Sequence, residues 1–311
     1  MLSGLVIKST GSWYTVRTED GRDFECRIRG KLRMSGLRTT NPVAAGDRVF
    51  FERVPQDGTG WITEILPRSN YIIRKSSNLS REAHILAANL DCAYLVVTMK
   101  YPETPVEFID RFLITASAYS VPVCLVWNKV DLYGEETLEA LDSLEGMYRD
   151  IGYEVLRTSV RTGFNLDRLR EMTRGKINLF SGNSGVGKSS LINALIPFLE
   201  LKTGAISEAH GKGKHTTTFA EMLAMEEGGY IIDTPGIKGF GIVRMEKEEL
   251  SHYFPEIFRL SPDCQYYNCH HVNEPGCAVK KAVSEGRIAV SRYNSYLNLF
   301  FEEDEKYRPA F

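Results

Sequence analysis

Through the first 68 positions apolar and polar residues alternate in short runs: Leu5 to Lys8, Tyr14 to Arg17, Phe24 to Ile28 after the turn Asp20-Gly21, Val49 to Val54 after Gly46-Asp47, and Trp61 to Ile65. A period of two bounded by turn residues predicts strands, and about five of them with no helical period predict a small barrel such as an OB-fold. From residue 90 the pattern changes. The apolar, β-rich runs Ala93 to Thr98, Pro122 to Trp127, Glu154 to Thr158, Lys176 to Phe180 and Gly229 to Ile232 alternate with helical spacing over Val106 to Tyr119 and Glu136 to Ile151. Continuous apolar strands between amphipathic helices predict a parallel sheet with helices on both faces. After about residue 245 the chain is polar, bears Cys and His, is cut into short pieces by Pro255, Pro262 and Pro275, and ends in a helical tail.

Composition narrows this picture only a little. At 311 residues and 43% hydrophobic the chain has material for two or three cores, which excludes a disordered or fibrous protein. No apolar run approaches the roughly 18–20 residues of a membrane span, and MLSGLVIKSTGSW turns polar too soon for a secretory leader, so a cytoplasmic location without membrane contact is expected. The net charge of −2 is unevenly spread: residues 1–75 hold 13 Lys/Arg against 8 Asp/Glu. Arg27, Arg29, Lys31, Arg33 and Arg38 crowd into one strand end and loop, as in a module that touches a polyanion. The interleaved aromatics Trp13, Tyr14, Phe24, Phe50, Phe51 and Trp61 are expected in the barrel core rather than on a base-stacking surface, because a small barrel already demands core aromatics.

The segment Gly182-Asn183-Ser184-Gly185-Val186-Gly187-Lys188-Ser189 matches G-x-x-x-x-G-K-[ST], with INLF before it as a strand and SSLINAL after it as a helix. Backbone amides and a helix N-terminus would then face phosphates, Ser190 included, with Lys188 reaching the β- and γ-phosphates and Ser189 ligating Mg²⁺. The apolar run Gly229 to Ile232 leads into Asp233-Thr-Pro-Gly236. Asp233 would hold Mg²⁺ through water and the Gly236 amide would bind the γ-phosphate. One of Thr216, Thr217 and Thr218 should complete the magnesium shell as a first switch, Thr217 being favoured.

Asn128-Lys129-Val130-Asp131 closes a buried strand as N-K-x-D. A carboxylate there accepts two hydrogen bonds from the N1–H and exocyclic amine of guanine, a donor pair that adenine lacks, so the nucleotide is expected to be GTP. Ser159 and Val160, after another strand, could offer backbone amides to guanine O6. Asn128 precedes Gly182 by 54 residues, the reverse of the usual order, which a circularly permuted domain resolves. The second switch then runs straight into the C-terminal segment. There Cys264, Cys269, Cys277 and one of His270 and His271 offer a Cys3His set suited to one closed, structural Zn²⁺ site.

The motif order NKVD, TSV, GNSGVGKSS, HTTT, DTPG, followed by DCQYYNCHHVNEPGCAVKKAV, resembles the RsgA (YjeQ/YloQ) family, and the similarity extends to LAANLD at 86–91 and RYNSYL at 292–297. The resemblance implies an OB-fold, a permuted GTPase and a zinc domain, and selects His271 as the fourth ligand because the family pattern is C-x-H. It implies a GTPase, stimulated by the small ribosomal subunit, that binds rRNA and acts in late maturation of that particle. The expected division is 1–70 as the RNA-binding barrel, 71–245 as the permuted GTPase and 246–311 as the zinc domain with its tail, in a protein that works as a monomer and cycles between GTP and GDP. In Ras-like enzymes the residue after D-x-x-G is a water-orienting glutamine, whereas here it is Ile237. Slow intrinsic turnover is therefore expected, with His215 the candidate catalytic group and contact with RNA or solvent its equal alternative. A GTP-controlled RNA-binding switch with little dependence on hydrolysis is the alternative function, and an ATP-dependent enzyme conflicts with Asp131.

Overall fold

The computed structural model describes residues 1–28, 42–55, 58–75, 83–197, 199, 221–233 and 246–302. The alternation at the start folds as expected. Strands β1 (Leu2–Ser9), β2 (Tyr14–Arg17), β3 (Asp23–Ile28), β4 (Arg48–Arg53) and β5 (Gly60–Ile65) pair in the order β1-β2-β3-β5-β4, and β4 returns to β1, which closes the barrel. Val6, Tyr14, Val16, Phe24, Cys26, Val49, Phe51 and Ile62 fill it. The expectation of core aromatics holds for Tyr14, Phe24 and Phe51 and fails for three others: Trp61 is 36% exposed, and Trp13 and Phe50 are only half-buried. Their strand positions have the opposite parity, so the pleat turns them outward.

A hairpin of β6 (Tyr71–Lys75) and β7 (Ala83–Ala88), whose strands show no two-residue alternation, joins the barrel to the next unit. Ala88 donates its amide to Ala45 O at 2.9 Å, and Arg68 pairs with the buried Asp47 at 2.6 Å. The second unit follows as β8 (Cys92–Val97), α1 (Val106–Ala118), β9 (Val123–Trp127), α2 (Glu135–Ile151), β10 (Glu154–Arg157), α3 (Leu166–Thr173), β11 (Ile177–Ser181), α4 (Lys188–Leu195), β12 (Glu221–Ala224) and β13 (Tyr230–Asp233). The order β10-β9-β8-β11-β13 is parallel throughout. β12 is not: it runs antiparallel to β13 and touches β1 at Lys8↔Glu221, so the barrel extends the same sheet.

Alternate strand residues serve two cores. Leu95, Leu125, Trp127 and Leu179 face Ile109, Phe112 and Leu113 of α1 and Leu141 and Tyr148 of α2, while Tyr94, Val96, Val126 and Phe180 face Leu169 of α3 and Leu191, Ile192 and Leu195 of α4. The parallel sheet is therefore covered on both faces, which is why its strands are apolar at every position. The C-terminal residues form three short helices, α5 (Pro255–Leu260), α6 (Ala278–Ser284) and α7 (Val290–Phe301), around Phe254, Ile257, Val279, Ala282, Ile288 and Tyr296. Ile114 of α1 belongs to that same core.

The C-terminal module is also held by charge. Arg292 of α7, fully buried, donates to Asp110 of α1 (2.7 Å) and to Glu256 of α5 (2.7 Å), and Asp110 further accepts from Tyr148 Oη (2.8 Å) and Ser295 Oγ (2.6 Å). Burial opposes the guanidinium charge, but the two carboxylates outweigh it and raise the Arg292 pKa above the ordinary arginine value.

Candidate nucleotide site and metal cluster

The central strand β11 ends at Ser181 and the chain turns at Gly182, where φ is +145° and a Cβ would lie 2.2 Å from Val96 O. Gly187, at φ +95°, caps α4, and a Cβ there would lie 2.4 Å from Asn128 Nδ2. Only glycine fits either position, so the spacing of these two residues follows from the path of the backbone. The loop opens toward the first turn of α4, whose amides have no acceptor within the helix. Lys188 curls back over the loop and donates to Gly182 O at 3.0 Å. Ser189 and Ser190 follow it in that turn.

The base motif sits against this loop. Asn128, buried, donates from Nδ2 to Val186 O (2.9 Å) and accepts from Thr158 Oγ1 (3.1 Å), which ties together three segments far apart in sequence. Lys129 adopts φ +62° and its amine donates to Gly185 O (2.7 Å) and Tyr101 O (2.6 Å). Val130 donates its amide to Thr158 O at 3.3 Å. Asp131 accepts from Ser159 Oγ at 2.6 Å, and Arg161 stands 4.0 Å from its other oxygen. Ser159 gives its amide to Phe164 O (3.2 Å) and its hydroxyl to the Asp131 carboxylate. Tyr133, which no sequence signal singles out, accepts from the Met99 amide (2.9 Å) and donates to Asn128 O (2.6 Å).

Asp233 ends β13 in register with Phe180, so its backbone lies beside the start of the phosphate loop. His215, Thr216, Thr217, Thr218, Gly236 and Ile237 fall outside the described residues.

In the C-terminal module one ligand atom each from Cys264, Cys269, His271 and Cys277 lies within 4.8 Å of the other three. His271 Nδ1 stands 3.6 Å from Cys264 Sγ and 3.5 Å from Cys277 Sγ, and those two sulfurs are 3.9 Å apart. A tetrahedron of thiolates at about 2.3 Å from a metal has edges of about 3.8 Å, so the separation suits coordination and is far too long for a disulfide. His271 Nε2 is held by Ser261 Oγ at 3.0 Å, which aims the other nitrogen at the sulfurs. His270 instead turns its ring toward Phe300. Burial lowers the His271 pKa and so favours the neutral, ligating imidazole, while it pushes the Cys269 thiol up to about 12. Glu274 accepts the amides of His270, Val272 and Asn273 at 2.8–3.0 Å, fixing the loop that carries His271. The cluster can bind a metal ion.

A phosphate loop between β11 and α4, joined by Asn128 and Lys129 to an N-K-x-D motif that comes earlier in the chain, defines a circularly permuted P-loop GTPase. Family models described as RsgA N-terminal domain and RsgA GTPase match residues 3–62 and 65–243. The chain belongs to the RsgA family of GTPases. It is 58% identical, over the whole of both chains, to the small ribosomal subunit biogenesis GTPase RsgA 2 of Bacteroides thetaiotaomicron. Among solved structures, YjeQ from Thermotoga maritima superposes with a TM-score of 0.80 at 37% identity, covering 98% of this chain and 99% of that one. YloQ, a circularly permuted GTPase, gives 0.77 at 30% identity over 99% and 97%.

Proposed function

We propose that this protein is a GTPase of small ribosomal subunit biogenesis, binding rRNA of that particle, hydrolysing GTP to GDP and phosphate when docked on it, and acting late in its maturation. The chemistry rests on the junction of Asn128 and Lys129 with the phosphate loop, which brings a guanine-reading carboxylate and a phosphate cradle into one site. The partner rests on the names of full-length relatives, and the family's description as GTPases supports hydrolysis over a mere switch. Lys188 would neutralise the β- and γ-phosphates, the amides of residues 183–190 would bind their oxygens, and Asn128, Lys129, Val130, Asp131 and Val160 would hold the base. Magnesium, bound with the nucleotide, supplies further charge neutralisation, and Ser189, Asp233 and Thr217 would hold it. Gly236 would sense the γ-phosphate and His215 would orient water, with docking arranging it. The Cys3His cluster would carry a single structural Zn²⁺, since three thiolates and one imidazole in a closed tetrahedral set suit zinc. We further assign residues 1–70, 71–245 and 246–311 to barrel, GTPase and zinc domain, in a cytoplasmic monomer.

The test is GTP hydrolysis by the purified protein with and without small subunits, using large subunits and ATP as controls. Strong stimulation by small subunits alone is expected; none, with GTP binding intact, would leave the partner unidentified and overturn the reading. The base contact has its own check. Asp131→Asn should lower GTP affinity roughly tenfold or more and admit xanthosine triphosphate, because an amide can donate to the xanthine oxygen where a carboxylate cannot. Unchanged nucleotide preference in competition binding would remove Asp131 from the base site.

A further inference from the structure

Trp13, Arg27 and Trp61 lie in one row across the outer face of the barrel. The antiparallel pairing of β2 with β3 sets Tyr14 opposite Cys26 and therefore Trp13, one residue outside the ladder, opposite Arg27. The parallel pairing of β3 with β5 sets Arg27 beside Trp61. The neighbours Tyr14, Cys26 and Ile62 point into the core, so all three of these side chains point out. The Arg27 guanidinium sits 3.8 Å from the centre of the Trp13 ring, the separation of a stacked pair. The exposed Trp61 stands one strand away, about 4.8 Å along the sheet.

We propose that Trp13, Arg27 and Trp61 form a stacking platform for the unpaired bases of an RNA. Trp13 underlies the guanidinium and holds it flat; Arg27 and Trp61 each offer a plane on which a base can stack, a contact that needs no particular base because every base has a π-face. Charge favours a polyanion as the occupant. The chain leaves β3 one residue after Arg27, and residues 29–41 carry Arg29, Lys31, Arg33 and Arg38 with no acidic side chain. On the same face Asp23 is paired with Arg17 at 2.7 Å, Glu25 accepts from Thr15 Oγ1 at 2.8 Å and Glu52 stands opposite Trp61 on β4, so the positive charge comes from Arg27 and the residues that follow it. The inference deepens the reading of the barrel as an rRNA-binding module and rests on it.

The protein carries its own reporter. It has three tryptophans, and Trp127 is fully buried in the GTPase core, so an RNA that stacks on the barrel should quench only the other two. Full-length protein would be titrated with an unstructured 12-nucleotide RNA while tryptophan emission and binding anisotropy are followed. Saturable quenching is expected, Trp61→Ala and Arg27→Ala should each weaken binding roughly tenfold, and Trp61→Phe should keep the affinity but lose most of the quench. Binding without quenching, or Trp61→Ala binding like the parent, would overturn the platform. So would a Trp61→Ala defect seen with whole subunits but not with the RNA, which would assign the row to a protein surface. Subunit-stimulated GTP hydrolysis, measured in parallel, separates the two ideas: quenching without stimulation would sink the ribosomal reading and leave the platform standing, and stimulation without quenching would do the reverse.

Discussion

Stripping the metal from the Cys264, Cys269, His271, Cys277 cluster should unfold the C-terminal module and abolish docking on the small subunit while nucleotide binding survives. The module has only a few buried apolar side chains, among them Phe254, Ile257, Val279 and Tyr296, spread over short helices of six, seven and twelve residues. A core of that size supplies a few kcal/mol at most, whereas a structural zinc site is worth on the order of 10 kcal/mol or more of apparent binding energy. A metal bound there would therefore stabilise the module more than its apolar core does. The site also organises its surroundings, for Cys277 caps α6 by accepting the Lys280 amide (3.4 Å), and Tyr293 and Tyr296 donate to the carbonyls of His271 (2.6 Å) and His270 (2.7 Å). The proposed nucleotide contacts lie in the segments that follow β9, β10 and β11 and in the first turn of α4, none of which belongs to the module's core. Amide exchange over residues 250–302 with and without a chelator, alongside binding of a fluorescent guanine nucleotide, gives the answer. Unchanged protection in the chelated protein would show that the module stands without metal, and simultaneous loss of nucleotide binding would show that the two sites are not separable.

Replacing Arg292 should be nearly as damaging. The Arg292 and Asp110 side chains are fully buried and Glu256 is almost so, which leaves Arg292→Ala with two carboxylates deprived of the cation that pairs with both. Removing one member of a buried ion pair typically costs about 3–5 kcal/mol, far above the value of a surface pair. Asp110→Asn should cost less, because the amide oxygen can still accept from Tyr148, its NH2 can donate to the Ser295 hydroxyl, and Arg292 keeps Glu256. Denaturant unfolding of the two variants would rank them; equal, small losses would mean that the apolar contact between Ile114 and the module holds the joint instead. This joint bears on the permuted chain order. The segment that leaves β13 after Asp233 re-enters the described chain at residue 246, and the module it enters is fastened to α1 and α2 by Arg292 and by Arg259, which donates to Ile151 O.

Much of this is legible in the chain because the determinants are local. A two-residue period with turn signals marks the barrel strands, a continuous apolar run marks a strand covered on both faces, and G-x-x-x-x-G-K-S records two places, Gly182 and Gly187, where a Cβ cannot fit. N-K-x-D and the Cys3His spacing are likewise sets of chemical groups whose type alone implies their ligand. The β6–β7 hairpin escapes such a reading because its strands show no two-residue alternation, and the direction of β12 is equally hidden, since a strand's partners are chosen by the rest of the sheet. Aromatic residues in a barrel sequence look alike whether they face in or out. Only pairing placed Trp13, Arg27 and Trp61 in one outward row, because parity and register belong to two strands at once. The Ser159 hydroxyl on Asp131, the Lys129 amine on Tyr101 O and the Arg292 centre are of the same kind. The sequence by itself determined the chemistry of the nucleotide and metal groups, because chemistry resides in residue types at close spacing. The tertiary structure decided which of them touch and how the C-terminal module is held, because burial and hydrogen-bond geometry arise only when distant segments share one core.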